Sequence, residues 1–151
     1  MLFSARERFF LEDSFLDGFR GRQPEWGPLG YFTFKRTYAR VVDGAAQRTE
    51  EYWETIRRVV EGCYTIQLNH CRSLKLPWNP QKAQRSAQEM FRLMWGFKFL
   101  PPGRGLWMMG TDYIYERGSA ALNNCAFVST DQIDFEFSEP FCFLMDMSML
   151  G

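Results

Sequence analysis

Residues 140–150 read PFCFLMDMSML, and this segment limits the possible folds more than any other part of the chain. The sequence predicts a helix over residues 138–150, with Pro140 in its first turn and apolar side chains on nearly every face. A helix that is apolar all round belongs inside a larger body. The chain has 151 residues, enough for one modest domain. A chain of that length buries roughly 70% of the surface its unfolded form exposes. A fully apolar helix running out at Gly151 therefore leads us to expect a cut through a larger fold, not the edge of a finished one.

Composition narrows the function classes. An apolar fraction of 46% and an aromatic fraction of 17% exclude a disordered chain. Eighteen basic residues balance 18 acidic ones, which argues against a general nucleic-acid binder. No apolar run approaches the roughly 18 residues that cross a bilayer. The start, MLFSARERFF, carries charges early and lacks the apolar core of a signal peptide. Four irregularly spaced cysteines then fit a reducing compartment, and we expect a cytoplasmic protein.

Along the chain, Phe9, Phe10, Leu11, Phe15, Leu16 and Phe19 have helix-like spacing, closed near residues 18–21. Residues 21–30 hold two prolines and several glycines and predict a loop anchored by Trp26. Residues 31–40, YFTFKRTYAR, fit a short strand or the start of a helix equally well. Residues 49–63 predict a helix with Thr49 as cap, Glu50 and Glu51 in its first turn, and Trp53, Ile56, Val60 and Cys63 on its buried face. A second helix is expected from Asn79, with Pro80 at its first position, to a stop at Gly96. Its inner face would carry Ala83, Ala87, Met90, Phe91 and Met94. Turn-rich sequence follows, and the change near residue 100 is the expected boundary between residues 1–100 and 101–151. Residues 121–128, ALNNCAFV, predict a short strand.

Most candidate constellations have a plain explanation beside the chemical one. His70, Cys71 and Cys63 lack the paired spacings of a structural zinc site, and Cys63 sits on an apolar helix face. Lys35, Arg36 and Arg40 alternate with aromatics as in single-strand binders, but a solvated basic face explains them as well. The turn from Pro101 to Gly105 has glycines that let backbone N–H groups approach an anion, but it matches no phosphate-loop pattern. Asn123-Asn124-Cys125 is harder to explain as packing. Two adjacent amides need hydrogen-bond partners in a buried strand. They can orient a polar ligand beside a thiol able to act in redox chemistry.

The order of segments then becomes informative. WGPLGYFTFKRTYAR, EEYWETIRRVVEG, PPGRGLWMMGTDY, LNNCAFV and PFCFLMD before a glycine resemble the N-terminal part of the monomeric adenosylcobalamin-dependent ribonucleoside-triphosphate reductases, the class II ribonucleotide reductases. The resemblance runs from about Trp26 to Gly151. It implies a helical N-terminal region followed by a ten-stranded α/β barrel of two antiparallel halves. Residues 1–100 would be the helical region. Residues 101–151 would begin the barrel, with LNNCAFV as its first strand and the last helix packed outside. By resemblance Cys125 is the first of two reducing thiols, and Asn124, Gly110 and Thr111 lie on the substrate side. No metal ligand is expected in this chain. Adenosylcobalamin is the implied cofactor, with most of its site elsewhere.

The same resemblance implies a ribonucleoside triphosphate substrate, a thioredoxin-like reductant and the remainder of the reductase, in one chain or as a second polypeptide. No nucleic-acid or membrane partner is implied. The thiyl cysteine, the second reducing cysteine and the C-terminal cysteine pair of the family have no counterpart in these 151 residues. The chain alone is therefore expected to be inactive, as a truncated, split or intein-interrupted piece. The rival reading is a small helical interaction module without chemistry.

Overall fold

The longest element is the helix α3 (Tyr52–Ser73), and the other elements are laid against it. The computed structural model describes residues 7–129 and 137–147. Thr55, Ile56, Val59, Val60, Thr65 and Leu68 form the buried face of α3. That stripe continues two turns beyond the apolar spacing seen in the sequence, which is why the helix runs past Cys63 to Ser73. Its cap is Glu51, not Thr49. The Glu51 carboxylate accepts from the N–H of Glu54, and the Glu54 carboxylate accepts from the Glu51 N–H at 2.8 Å. This reciprocal box satisfies two otherwise orphaned donors and places negative charge where the helix dipole favours it. Thr49 lies instead in a small antiparallel hairpin of β1 (Val41–Asp43) and β2 (Arg48–Thr49), the only sheet among the described residues.

The helix α4 (Pro80–Trp95) packs on α3. Asn79 Oδ1 accepts from the Lys82 N–H at 2.9 Å, Pro80 opens the helix, and the C-cap is Gly96. Ala83, Ala87, Phe91 and Met94 are buried on its inner face, and Met90 packs at the edge.

The aromatic N-terminal stretch behaves differently from its spacing. Only α1 (Asp13–Leu16) is helical. Residues 7–12 run extended, because their N–H groups find acceptors on α3. The Phe9 N–H donates to Thr65 Oγ1 at 3.0 Å, and the Leu11 N–H donates to Glu61 Oε1 at 3.0 Å. Phe15 and Phe19 then place their rings 5.3 and 4.7 Å from Phe91. The ambiguous stretch after Trp26 is helical: α2 (Pro28–Thr37) starts with Pro28 in its first turn. Trp26 is the anchor expected of it, with its ring 4.8 Å from Tyr52 and 5.3 Å from Phe34.

The turn-rich passage folds into two short helices, α5 (Gly103–Met108) and α6 (Asp112–Arg117), and a 3-10 turn over Ser119–Leu122. Met108, Ile114 and Ala121 close a second small core there. The ALNNCAFV segment is not a continuous strand. Its first two residues belong to the 3-10 turn, and Cys125 occupies one isolated bridge position. A strand needs a neighbour to supply its ladder of hydrogen bonds, and no described segment runs alongside this one.

The last helix, α7 (Glu139–Asp146), buries Pro140 but leaves Phe141, Phe143 and Met145 exposed. The Tyr113 hydroxyl donates to the Asp146 carbonyl and ties α7 to α6. Residues 148–150 of the expected helix lie outside the described residues. The architecture is thus mostly helical with one small sheet. No helix among the described residues is long and apolar enough to cross a membrane.

Candidate functional site

The site is built outward from one buried carboxylate. Glu50 immediately precedes the cap of α3 and is 5% exposed. Its two oxygens accept from Arg58, with Nε at 2.7 Å and Nη2 at 2.9 Å. The Thr55 hydroxyl donates at 2.8 Å and the Arg40 N–H at 3.1 Å. Burial alone opposes the charge. The hydrogen bonds and charge of Arg58, with those from Thr55 and Arg40, outweigh it and hold Glu50 below the usual carboxylate range.

Arg58 also reaches across to α5. Its Nη1 donates to the Met109 carbonyl at 2.5 Å and its Nη2 to the Leu106 carbonyl at 2.8 Å. Arg40 Nη1 donates to the Trp107 carbonyl at 3.2 Å, and the Thr111 hydroxyl donates to the Met108 carbonyl at 2.7 Å. The last carbonyls of a helix have no partner within it. Here four successive carbonyls at the end of α5 are each taken by a side chain, and two of those side chains are cationic, as the dipole favours.

The backbone must come very close to α3 for this to happen. Gly110 has φ +77°, and a Cβ there would lie 2.1 Å from the Arg58 carbonyl oxygen. A Cβ on Gly62 would lie 2.6 Å from the Gly110 Cα. Only glycine fits either position. Gly103 and Gly105 also serve packing: added Cβ atoms would meet the Tyr38 ring at 3.1 Å and Pro101 Cβ at 2.8 Å.

The expected site residues therefore divide. Gly110 is seated on α3 and also borders a cavity of about 220 Å³ lined by Arg57, Arg58, Glu61 and Tyr115. Thr111 is buried, and its hydroxyl is engaged by Met108. Asn124 and Cys125 are exposed, three residues or fewer beyond the 3-10 turn. The 3-10 turn packs on both α5 and α6, and this connects the two pairs.

The other sequence candidates have structural employment. Lys35 donates to Glu51 at 2.7 Å and to the Glu50 carbonyl at 3.0 Å. The Arg36 guanidinium lies over the Phe32 ring. Burial pushes the Cys63 thiol up. Cys142 is exposed on α7. Among the described residues no three of His, Cys, Asp and Glu gather as a metal site. Sequence reasoning missed Glu50 and Arg58 as a pair and Gly62 as a contact. The available signal was alternating charge at helical spacing, Glu54, Arg57, Arg58 and Glu61, with one further acid before the cap.

Adenosylcobalamin does not find a complete site here. Two cavities among the described residues, of about 220 and 540 Å³, are small for a corrin with its nucleotide tail, since drug-sized ligands already fill roughly 300–1,000 Å³. The described residues therefore carry no step through that group.

Comparison with known proteins places this geometry in context. The family model described as ribonucleotide reductase alpha domain matches residues 11–111. An adenosylcobalamin-dependent ribonucleoside-triphosphate reductase of Euglena gracilis is 43% identical over 149 residues, which is 96% of this chain and 20% of the relative. A probable adenosylcobalamin-dependent ribonucleoside-triphosphate reductase of Dictyostelium discoideum is 44% identical over 148 residues, 96% of this chain and 19% of its own. A crystal structure of a B12-dependent (class II) ribonucleotide reductase superposes with a TM-score of 0.66 at 34% identity. That match covers 92% of this chain and 21% of the crystallised one. The chain thus spans about a fifth of the length of these relatives.

Proposed function

The chain belongs to the ribonucleotide reductase alpha-domain family, and we propose that it is the N-terminal part of an adenosylcobalamin-dependent ribonucleoside-triphosphate reductase. The observation that carries this reading is 43% identity over 96% of the chain to a reductase of that name. The rival reading, a helical interaction module, has no comparable support.

In this reading residues 1–100 are the helical region. Residues 101–151 begin the catalytic barrel, and the Cys125 segment becomes its first strand once neighbouring strands are present. The exposed apolar face of α7 and the exposed position of Cys125 support this, since both await further structure. The cytoplasm is the compartment that suits four free thiols.

The reaction removes the ribose 2′-hydroxyl. Cys125 is one of two thiols that together give up two electrons and two protons. They become a disulfide, and the 2′-oxygen leaves as water, so ribonucleotide plus dithiol yields deoxyribonucleotide plus disulfide plus water. A thioredoxin-like dithiol then restores the pair by exchange. The cofactor, when bound by the rest of the enzyme, supplies the radical that starts the reaction. This chain's part is to present the Cys125 thiol and, through Asn124, Gly110 and Thr111, to border the substrate.

The test is Cys125→Ser in the complete reductase with a ribonucleoside triphosphate and a dithiol. Loss of repeated deoxynucleotide formation is expected, with cofactor cleavage retained. Sustained turnover would overturn the assignment of Cys125.

A further inference from the structure

Glu50 is buried, Arg58 is largely so, and the contacts of this charged pair run toward one place. We infer that the Glu50–Arg58 pair is a positioning device for the Cys125 segment, acting through the carbonyl end of α5. The inference rests on the reading of Cys125 as a reducing thiol.

The relay is short and every link is a contact. Glu50 orients the guanidinium by accepting from Nε and Nη2. The same guanidinium donates to the carbonyls of Leu106 and Met109, one before and one after Met108. The Met108 side chain packs with Ile114 and Ala121 in the second small core. Ala121 is fully buried in the 3-10 turn, which ends at Leu122 and leads directly into Asn123, Asn124 and Cys125. A planar fork with fixed donor directions suits this task, because it defines both the distance and the angle between α3 and α5. α6 has its own bond to α3, between Tyr115 and Thr65, but α5 is held there by the Arg58 bonds, the Gly62–Gly110 contact and the exposed Arg40 bond to Trp107. A tilt of α5 therefore moves Ala121, and with it the thiol.

An alternative role is folding alone, and kinetics on the complete reductase separates the two. Arg58→Lys keeps a positive charge beside Glu50 but cannot span Glu50 and two carbonyls. Per folded enzyme, kcat should fall roughly tenfold while KM for the ribonucleoside triphosphate stays within about twofold, because a thiol displaced by a fraction of an ångström slows reaction more than binding. Arg40→Gln removes one surface bond to the same helix end and should lower kcat by about twofold with KM held. Wild-type kcat per folded enzyme in both variants overturns the inference. If Arg58→Lys does not fold, Arg40→Gln decides: a reduced kcat at constant KM supports positioning, and an unchanged kcat rejects it. Cys125→Ser in the same assay keeps the two claims apart. Sustained turnover there removes the reading of the thiol. Its loss, with wild-type kcat in the arginine variants, removes only the positioning role.

Discussion

Gly62 and Gly110 touch backbone to backbone: a Cβ built on Gly62 lies 2.6 Å from the Cα and 2.7 Å from the amide nitrogen of Gly110. Gly62 is in the middle of α3, where glycine is usually a poor choice. Replacing an exposed helical glycine by alanine normally gains about 1 kcal/mol. Here the obstacle is backbone, which cannot swing aside like a side chain. Gly62→Ala should therefore destabilise, by about 1–3 kcal/mol, the range for overpacked sites. Urea unfolding of the purified chain, followed by tryptophan fluorescence, gives the sign directly, and a raised midpoint would contradict the contact.

Glu50→Gln removes the charge from a pair whose side chains are 7% and 14% exposed. The uncompensated Arg58 should cost about 3 kcal/mol. Because the folded protein holds the Glu50 pKa below its unfolded value, the contribution is present above the ordinary carboxylate range and is lost as pH falls through the folded pKa. The wild-type advantage over Glu50→Gln should thus be full at pH 7 and shrink in acid. An advantage independent of pH would refute this.

Glu61 is expected to show the opposite trend. Burial raises its pKa, more than Arg57 and the Leu11 N–H lower it. A raised carboxyl contributes its stability at low pH and loses it as pH rises through the folded value. Glu61→Gln resembles the protonated carboxyl and keeps an acceptor for the Leu11 N–H, so it should match wild type in acid and be the more stable of the two at pH 7. Unfolding midpoints of the two proteins between acid and neutral pH decide the sign.

Asn79→Ala removes the acceptor for the Lys82 N–H. The loss should be about 1 kcal/mol, and Asn79→Asp should retain most of the stability. A drop confined to amide protection in the first turn of α4, read by hydrogen exchange, would locate the effect.

How much of this was readable in advance depended on the reach of the interactions. The cap and inner face of α4 could be read directly, because Asn79, Pro80, Ala83, Ala87, Phe91 and Met94 act within a few residues of one another. The cap of α3 was misplaced by two residues because an acid and a threonine compete for that role, and a hairpin claims Thr49. The extended course of residues 7–12 is hidden from local spacing because the Phe9 N–H bonds to Thr65, 56 residues away, and the Leu11 N–H to Glu61, 50 residues away. The same limit applies to the site. Asn124 and Cys125 stand out locally as amide and thiol, whereas Glu50 and Arg58 acquire meaning only when Leu106 and Met109 arrive beside them.

The bonding at the end of α5 has one more consequence. A helix of six residues is too short to persist in water by its own hydrogen bonds. Its four terminal carbonyls are held by Arg58, Arg40 and Thr111, so its shape is borrowed, most of it from an element formed earlier in the chain. The thiol segment that follows is thus aimed through a helix whose own geometry is supplied from outside it.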